Sequence, residues 1–297
     1  MRARHDNQLN ADELQRIDQM KNTPWVGYES AITIRQQMDS LIRHPRIARM
    51  PNIVLIGDSN NGKSTILRNF CNRHYPADNF NAAQITLPAL MVQTPSNANE
   101  GALYYEILDH LCAAGSPNEP DISKKSRLKL ILEKLQLKVL VLDDLFNIAS
   151  SPPAKRRQFL NAIRNLGIEL QISFIASGTP ETLNILAMDP SIQNRFKPVF
   201  LPRWKMDRGS EFAKFILSLE NSLTLKQPSA FRDARFIELM LIFSEGLLGE
   251  AVALLHLLAE QAIRTGKEMI DADDLTREKL KALHWVMPSD RSRHSVD

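Results

Sequence analysis

Asn52-Ile53-Val54-Leu55-Ile56 is a short apolar run that breaks at Gly57-Asp58-Ser59-Asn60-Asn61-Gly62-Lys63-Ser64-Thr65, after which Ile66, Leu67 and Phe70 recur at helical spacing. A strand that turns through G-x-x-x-x-G-K-[ST] directly into a helix is the setting in which that pattern binds phosphate. Its glycines let the backbone curl until successive N–H groups face one centre, and the helix adds the positive end of its dipole. Gly57 to Thr65 are thus the expected ATP-binding residues. Lys63 should reach the β and γ phosphates, and Ser64 should offer its hydroxyl to Mg²⁺, an ion that takes oxygen ligands.

Val139-Leu140-Val141-Leu142-Asp143-Asp144 is a second apolar run, and it ends in two carboxylates. Beside a phosphate loop, Asp143 is expected to hold the metal and Asp144 to orient or polarise the attacking water. The competing reading is a helix N-cap after a core strand, a place that Asp also fills well. The phosphate loop upstream makes that reading the weaker one. His74, His110 and His256 have neither ligand spacing nor a neighbouring Cys, and no G-x-S-x-G elbow occurs. A zinc centre and a serine nucleophile are therefore not expected.

Further short apolar runs at Ala89 to Gln93, Lys138 to Leu142, Gln171 to Ala176 and Pro198 to Leu201 alternate with helical patterns. Alternation of that kind builds an α/β core around a parallel sheet. Helical spacing also runs from Ala11 to Met20, breaks at Asn22-Thr23-Pro24, and resumes from Glu29 to Arg43. Beyond Trp204 only helical periods remain. The expected layout is an N-terminal helix and linker (1–28), an α/β ATPase domain (29–204), a helical lid domain (205–285) and a loose tail (286–297).

Composition narrows the class without naming it. Of 297 residues, 43% are hydrophobic and 24% charged, the proportions of a chain able to bury a core. Cys71 and Cys112 form no CxxC pair, which argues against a disulfide framework. Phe236 to Ile263 is interrupted by Glu238, Glu245, Glu250 and Glu260, so it is not read as a membrane span, and the N-terminus has no apolar core of signal length. A cytoplasmic protein without membrane contact is expected. The net charge of +3 is too small to demand a polyanion, so local charge must decide. Lys124, Lys125, Arg127, Lys129, Lys134 and Lys138 stand against Glu133, and Lys155, Arg156, Arg157 and Arg164 lie in Ala154 to Asn165 with no acid among them. Such runs are usually solvated helix faces. Repeated around an assembly, they would bind the DNA backbone without reading bases.

Trp25-Val26-Gly27-Tyr28, His44-Pro45-Arg46-Ile47-Ala48-Arg49-Met50-Pro51-Asn52, Ser177-Gly178-Thr179-Pro180-Glu181 and Ser244-Glu245-Gly246-Leu247-Leu248-Gly249-Glu250 complete a pattern that spans most of Leu14 to Ile270. It resembles the AAA+ transposition ATPases of the TniB/TnsC type, regulators of bacterial DNA transposition. The resemblance implies a P-loop fold with a parallel five-stranded sheet flanked by helices, then a small all-helical lid. It places Trp25, Val26 and Tyr28 against the adenine, although anchoring of the N-terminal helix explains these residues equally well. It makes Ser177 or Thr179 the sensor-1 polar residue and Arg195 the arginine finger inserted into a neighbour's ATP site. Two departures stand out: no arginine lies in Gly246 to Glu250, where many AAA+ proteins carry sensor 2, and Asp144 stands where the family usually has Glu.

The leading expectation is an ATP- and Mg²⁺-dependent ATPase that assembles as a ring or filament on double-stranded DNA, marks it as a target, and communicates with a transposase and a TniQ-like target selector. The alternative is a helicase-loader or chaperone-like AAA+ ATPase acting on a protein. A small-molecule P-loop kinase ranks third, since a helical lid and no acceptor motif argue against it.

Overall fold

The computed structural model describes residues 10–21, 25–76, 85–205 and 209–291. The expected break at Asn22-Thr23-Pro24, the basic residue Arg208 and the tail beyond Arg291 lie outside these described residues. In chain order the elements are α1 (Ala11–Lys21), α2 (Glu29–Arg43), β1 (Asn52–Ile56), α3 (Lys63–Arg73), β2 (Ala89–Gln93), α4 (Glu100–His110), α5 (Asp121–Lys134) and β3 (Val139–Asp143). They continue with α6 (Pro153–Leu170), β4 (Ser173–Gly178), α7 (Thr182–Leu186), α8 (Pro190–Gln193) and β5 (Phe196–Phe200). The remainder is helical: α9 (Gly209–Leu219), α10 (Ala234–Ser244), α11 (Leu248–Thr265), α12 (Arg277–Ala282) and α13 (Pro288–Arg291). Two compact units result, one from Ser30 to Leu201 and one that joins the chain up to Glu29 with Pro202 onward.

In the α/β unit the five strands are all parallel, in the order β2-β3-β4-β1-β5. β1, β3 and β4 are buried along their whole length, as expected of parallel strands covered by helices on both faces. Val54, Leu140, Leu142, Phe159, Leu166 and Phe174 are among the residues of the common core. β4 begins two residues later than the apolar run from Gln171 suggests, because Gln171 takes φ 51° and caps α6. β5 is an edge strand and includes Pro198, which a sheet tolerates where no neighbour needs its missing N–H.

The helical unit closes around Trp204, Phe212, Phe231, Phe236, Leu254 and Leu258. Met20 of α1 enters this core, and the Arg16 guanidinium makes two bonds to the Glu268 carboxylate, at 2.9 and 2.5 Å. Both side chains of that pair are only about a tenth exposed, and Arg16 also donates twice to the Thr224 carbonyl. The segment expected to be loose is described as far as Arg291 and includes α13. Arg291 pairs with both oxygens of buried Glu250, at 2.7 and 2.6 Å, and sits over the Trp285 ring. No single helix among the described residues is long and apolar enough to cross a membrane.

Candidate functional site

The parallel register brings the ends of β1, β3 and β4 to one edge of the sheet, and the phosphate loop leaves from there. Gly62, the residue before α3, has φ 88°, a conformation that favours glycine. Gly57 approaches the end of β5 so closely that a Cβ would lie 2.9 Å from the Leu201 carbonyl oxygen. Asn61, expected among the ATP contacts, is buried and donates from Nδ2 to that same carbonyl at 3.0 Å. Its side chain thus ties the loop to the end of β5. Ser64 and Thr65 occupy the first turn of α3.

Lys63 Nζ donates to the carbonyls of Gly57 and Asp58, each at 2.8 Å. Burial pushes the Lys63 pKa down, and the charges of Asp144, Asp143 and Asp58 oppose that shift. Strand order puts β4 between β1 and β3, so Ser177 of β4 stands next to Asp143. The fully buried Ser177 hydroxyl donates to Asp143 Oδ1 at 2.5 Å and accepts the Asp144 backbone N–H at 2.9 Å. A hydroxyl has one hydrogen to give, and here the Asp143 carboxylate receives it. The Ser177 side chain thus holds Asp143 in place. Thr179, two residues further, lies past the strand end, and its buried hydroxyl has no hydrogen-bond partner among the described residues.

Asp144 takes φ 56° and ψ 61° and opens a 3₁₀ turn from Leu145 to Ser150. Among residues with a side chain, Asp and Asn enter this left-handed region most readily, because a short polar group bonds locally. The left-handed backbone at this position therefore suits an aspartate.

Arg195 lies at the other end of the sheet. Its carbonyl accepts the Asn52 N–H at the start of β1, whereas the phosphate loop follows the end of that strand. At about 3.3 Å per residue the two ends are roughly 16 Å apart, farther than an arginine side chain spans. Arg195 cannot serve the phosphate loop of its own copy.

The expected aromatic contacts go elsewhere. The Tyr28 ring packs 5.1 Å from Trp204 and 5.9 Å from Phe215, and Val26 joins the same helical core. Of the two readings open for this segment, the packing of Val26 and Tyr28 is that of an anchor; Trp25 is half-buried. The cations expected to form a row on α5 have partners within the chain. Lys124 is buried with Nζ on the Pro117 carbonyl at 2.9 Å, Lys125 and Lys129 both bind Glu169, at 2.6 and 2.9 Å, and Arg127 pairs with Glu119. Lys125, Arg127 and Lys129 thus face acids outside α5, and Lys124 faces Asp121 of the same helix. Lys155, Arg156 and Arg157 differ, since they crowd the first turn of α6 with no acid in that turn. Sequence reading also passed over Arg49, whose charge is felt at Arg195, and the Arg291–Glu250 pair at the start of α11. Both are separated in the chain from what they touch, so no local pattern announces them.

The family described as Bacterial TniB protein matches residues 16–206. The chain belongs to the TniB family. No curated protein is significantly similar to it. Among solved structures, this TniB chain is similar to the Aeropyrum pernix ORC1 protein in complex with DNA, with a TM-score of 0.66 and 15% identity over 95% of this chain and 71% of that one. It is also similar to Cdc6p from Pyrobaculum aerophilum, with a TM-score of 0.62 and 18% identity over 90% and 71% of the two chains. The ORC2 protein of Aeropyrum pernix, in ADPNP–ADP complexes, gives a TM-score of 0.60 and 15% identity over 83% and 67%. At these identities the likeness concerns the fold: an α/β P-loop unit with a helical C-terminal part.

Proposed function

We propose that this TniB-family chain is an ATPase that assembles head to tail on double-stranded DNA and regulates transposition through a transposase and a TniQ-like target selector. The observation that carries the reading is the placement of Lys63, Asp143, Asp144 and Ser177 at one edge of the sheet with Arg195 at the other. In each copy, the loop N–H groups and Lys63 hold the triphosphate, whose oxygens take over the lysine bonds now made to Gly57 and Asp58. The donor set fits Mg²⁺, a hydroxyl at Ser64 and a buried carboxylate at Asp143, and a bound ion would offset negative charge on the phosphates. Asp144 orients the attacking water, and Arg195 from the next copy stabilises charge on the transferring phosphoryl group. ATP thus bridges two copies, and hydrolysis releases them.

DNA contact falls to Lys155, Arg156 and Arg157. Cations at a helix N-terminus oppose the helix dipole, so their grouping there is unfavourable unless an anion covers them. The second reading, a helicase-loader or chaperone-like ATPase acting on a protein, is favoured by the internal pairing of the α5 cations, which leaves less surface for DNA. Size-exclusion chromatography and negative-stain microscopy with a non-hydrolysable ATP analogue, with and without DNA, separate the two. Rings or filaments that need DNA support the first reading; nucleotide-dependent oligomers indifferent to DNA replace it with the second.

A further inference from the structure

The edge of the α/β unit away from the phosphate loop gathers three guanidiniums. Arg49 precedes Met50 and β1, Arg164 belongs to α6, and Arg195 leads into β5. Met50, Arg164 and Arg195 line one shallow depression with Asn52 and Ile192. Partial burial lowers the Arg195 pKa, and the positive charges of Arg49 and Arg164 lower it further. Arg164 donates to Ser191 Oγ at 2.9 Å and has the Asp189 charge near it. No carboxylate pairs with Arg49 or Arg195 among the described residues. Like charges held together in a partly desolvated place destabilise the separate subunit and become favourable once an anionic surface docks.

Such a surface exists on the same unit. Asp58, Asp144 and Glu181 follow β1, β3 and β4 at the phosphate-loop edge, with Asp143 buried behind them. Glu181 is exposed there, and an exposed glutamate is ionised at neutral pH. Opposite charges at opposite ends of parallel strands favour a heterologous contact, which repeats in one direction and builds a ring or a helix.

We infer that the Arg49–Arg164–Arg195 edge is the surface on which one copy receives the next, with Arg49 closing on Glu181 of the second copy while Arg164 screens the approach of Arg195. The inference rests on the nucleotide-site reading above and adds Arg49, Arg164 and Glu181 to it as assembly residues. An acidic surface of the same protein is the occupant favoured over DNA, because its carboxylates lie at the height of the strand ends that Arg195 must reach.

Full-length protein is tested by sedimentation velocity with a non-hydrolysable ATP analogue, and single-copy nucleotide binding is followed separately with a fluorescent ATP analogue. Arg49→Glu and Glu181→Arg should each raise the concentration needed for half-assembly by about tenfold or more, since like charges then face each other. The double variant Arg49→Glu/Glu181→Arg should recover assembly, and all three should bind nucleotide as the parent does. Circular dichroism melting confirms that each variant is folded, and Arg49→Ala replaces any reversal that is not. A double variant no better than either single one overturns the pairing. So does an Arg49→Glu protein that assembles like the parent and loses only retention of DNA. A parent protein that never takes up nucleotide overturns the site reading itself, a result distinct from loss of assembly with binding intact.

Discussion

Asp144 and Ser177 are joined through one hydrogen bond and through Asp143, so a change at either is felt by the carboxylate between them. Replacing Asp144 by Glu moves a water-orienting oxygen by one methylene and puts a longer chain on a left-handed backbone. A displacement of about 1 Å can change rate on the order of a hundredfold. Asp144→Glu should therefore alter the steady-state turnover of ATP; identical rates would remove Asp144 from that role. Ser177→Ala deprives Asp143 Oδ1 of its donor. Losing a group that orients a metal ligand typically lowers metal affinity or activity by about 10- to 100-fold. The expected signature is a higher Mg²⁺ requirement for nucleotide hydrolysis with nucleotide binding retained, and an unchanged Mg²⁺ titration would contradict it.

Helix α1 is held to its unit by one ion pair as much as by Met20. Glu268 is ionised well below the usual carboxylate range, chiefly because Arg16 hydrogen-bonds to it. A depressed folded pKa contributes stability that is complete above the unfolded value, near pH 4.3, and that disappears as pH falls through the folded one. Acid unfolding of this unit should thus show a component that Glu268→Gln removes. At neutral pH, Arg16→Ala takes from a mostly buried carboxylate its closest partner, leaving only the more exposed Lys226 at 3.7 Å, and should destabilise the unit by about 3 kcal/mol in a denaturant titration. The two basic helices separate in the same kind of test. Reversing Lys155, Arg156 and Arg157 to Glu should weaken DNA binding and lower the slope of log affinity against log salt by about 3, one for each phosphate contact. Lys124→Glu should cost stability at the start of α5 and leave that slope unchanged, because Lys124 Nζ serves a carbonyl and not a phosphate.

Arg195 and Lys63 stand at opposite ends of one sheet, so under the proposed function the active centre is shared by two copies. Lys63→Ala and Arg195→Ala proteins should each hydrolyse ATP poorly when alone. When they are mixed, some junctions join an intact phosphate loop from one copy to an intact Arg195 from another. Activity above the sum of the separate proteins is the expected outcome; a mixture that merely adds would show that the two residues do not meet across copies. The phosphate loop, the Asp143 strand and the α/β order were all legible before any coordinates. Not legible were the partners of Lys125, Lys129, Tyr28 and Arg291, each of which lies far along the chain.

Patterns that depend on neighbours in the chain carried their meaning in the amino-acid string: strand period, a backbone curled by glycine, carboxylates at the end of an apolar run. Those contacts span a few residues, so a short window contains every atom involved. The order β2-β3-β4-β1-β5 is of another kind, since it arises when whole strands compete to bury their faces. Once it exists, Ser177 stands beside Asp143, Glu169 collects two lysines of α5, and Arg195 is carried out of reach of its own phosphate loop.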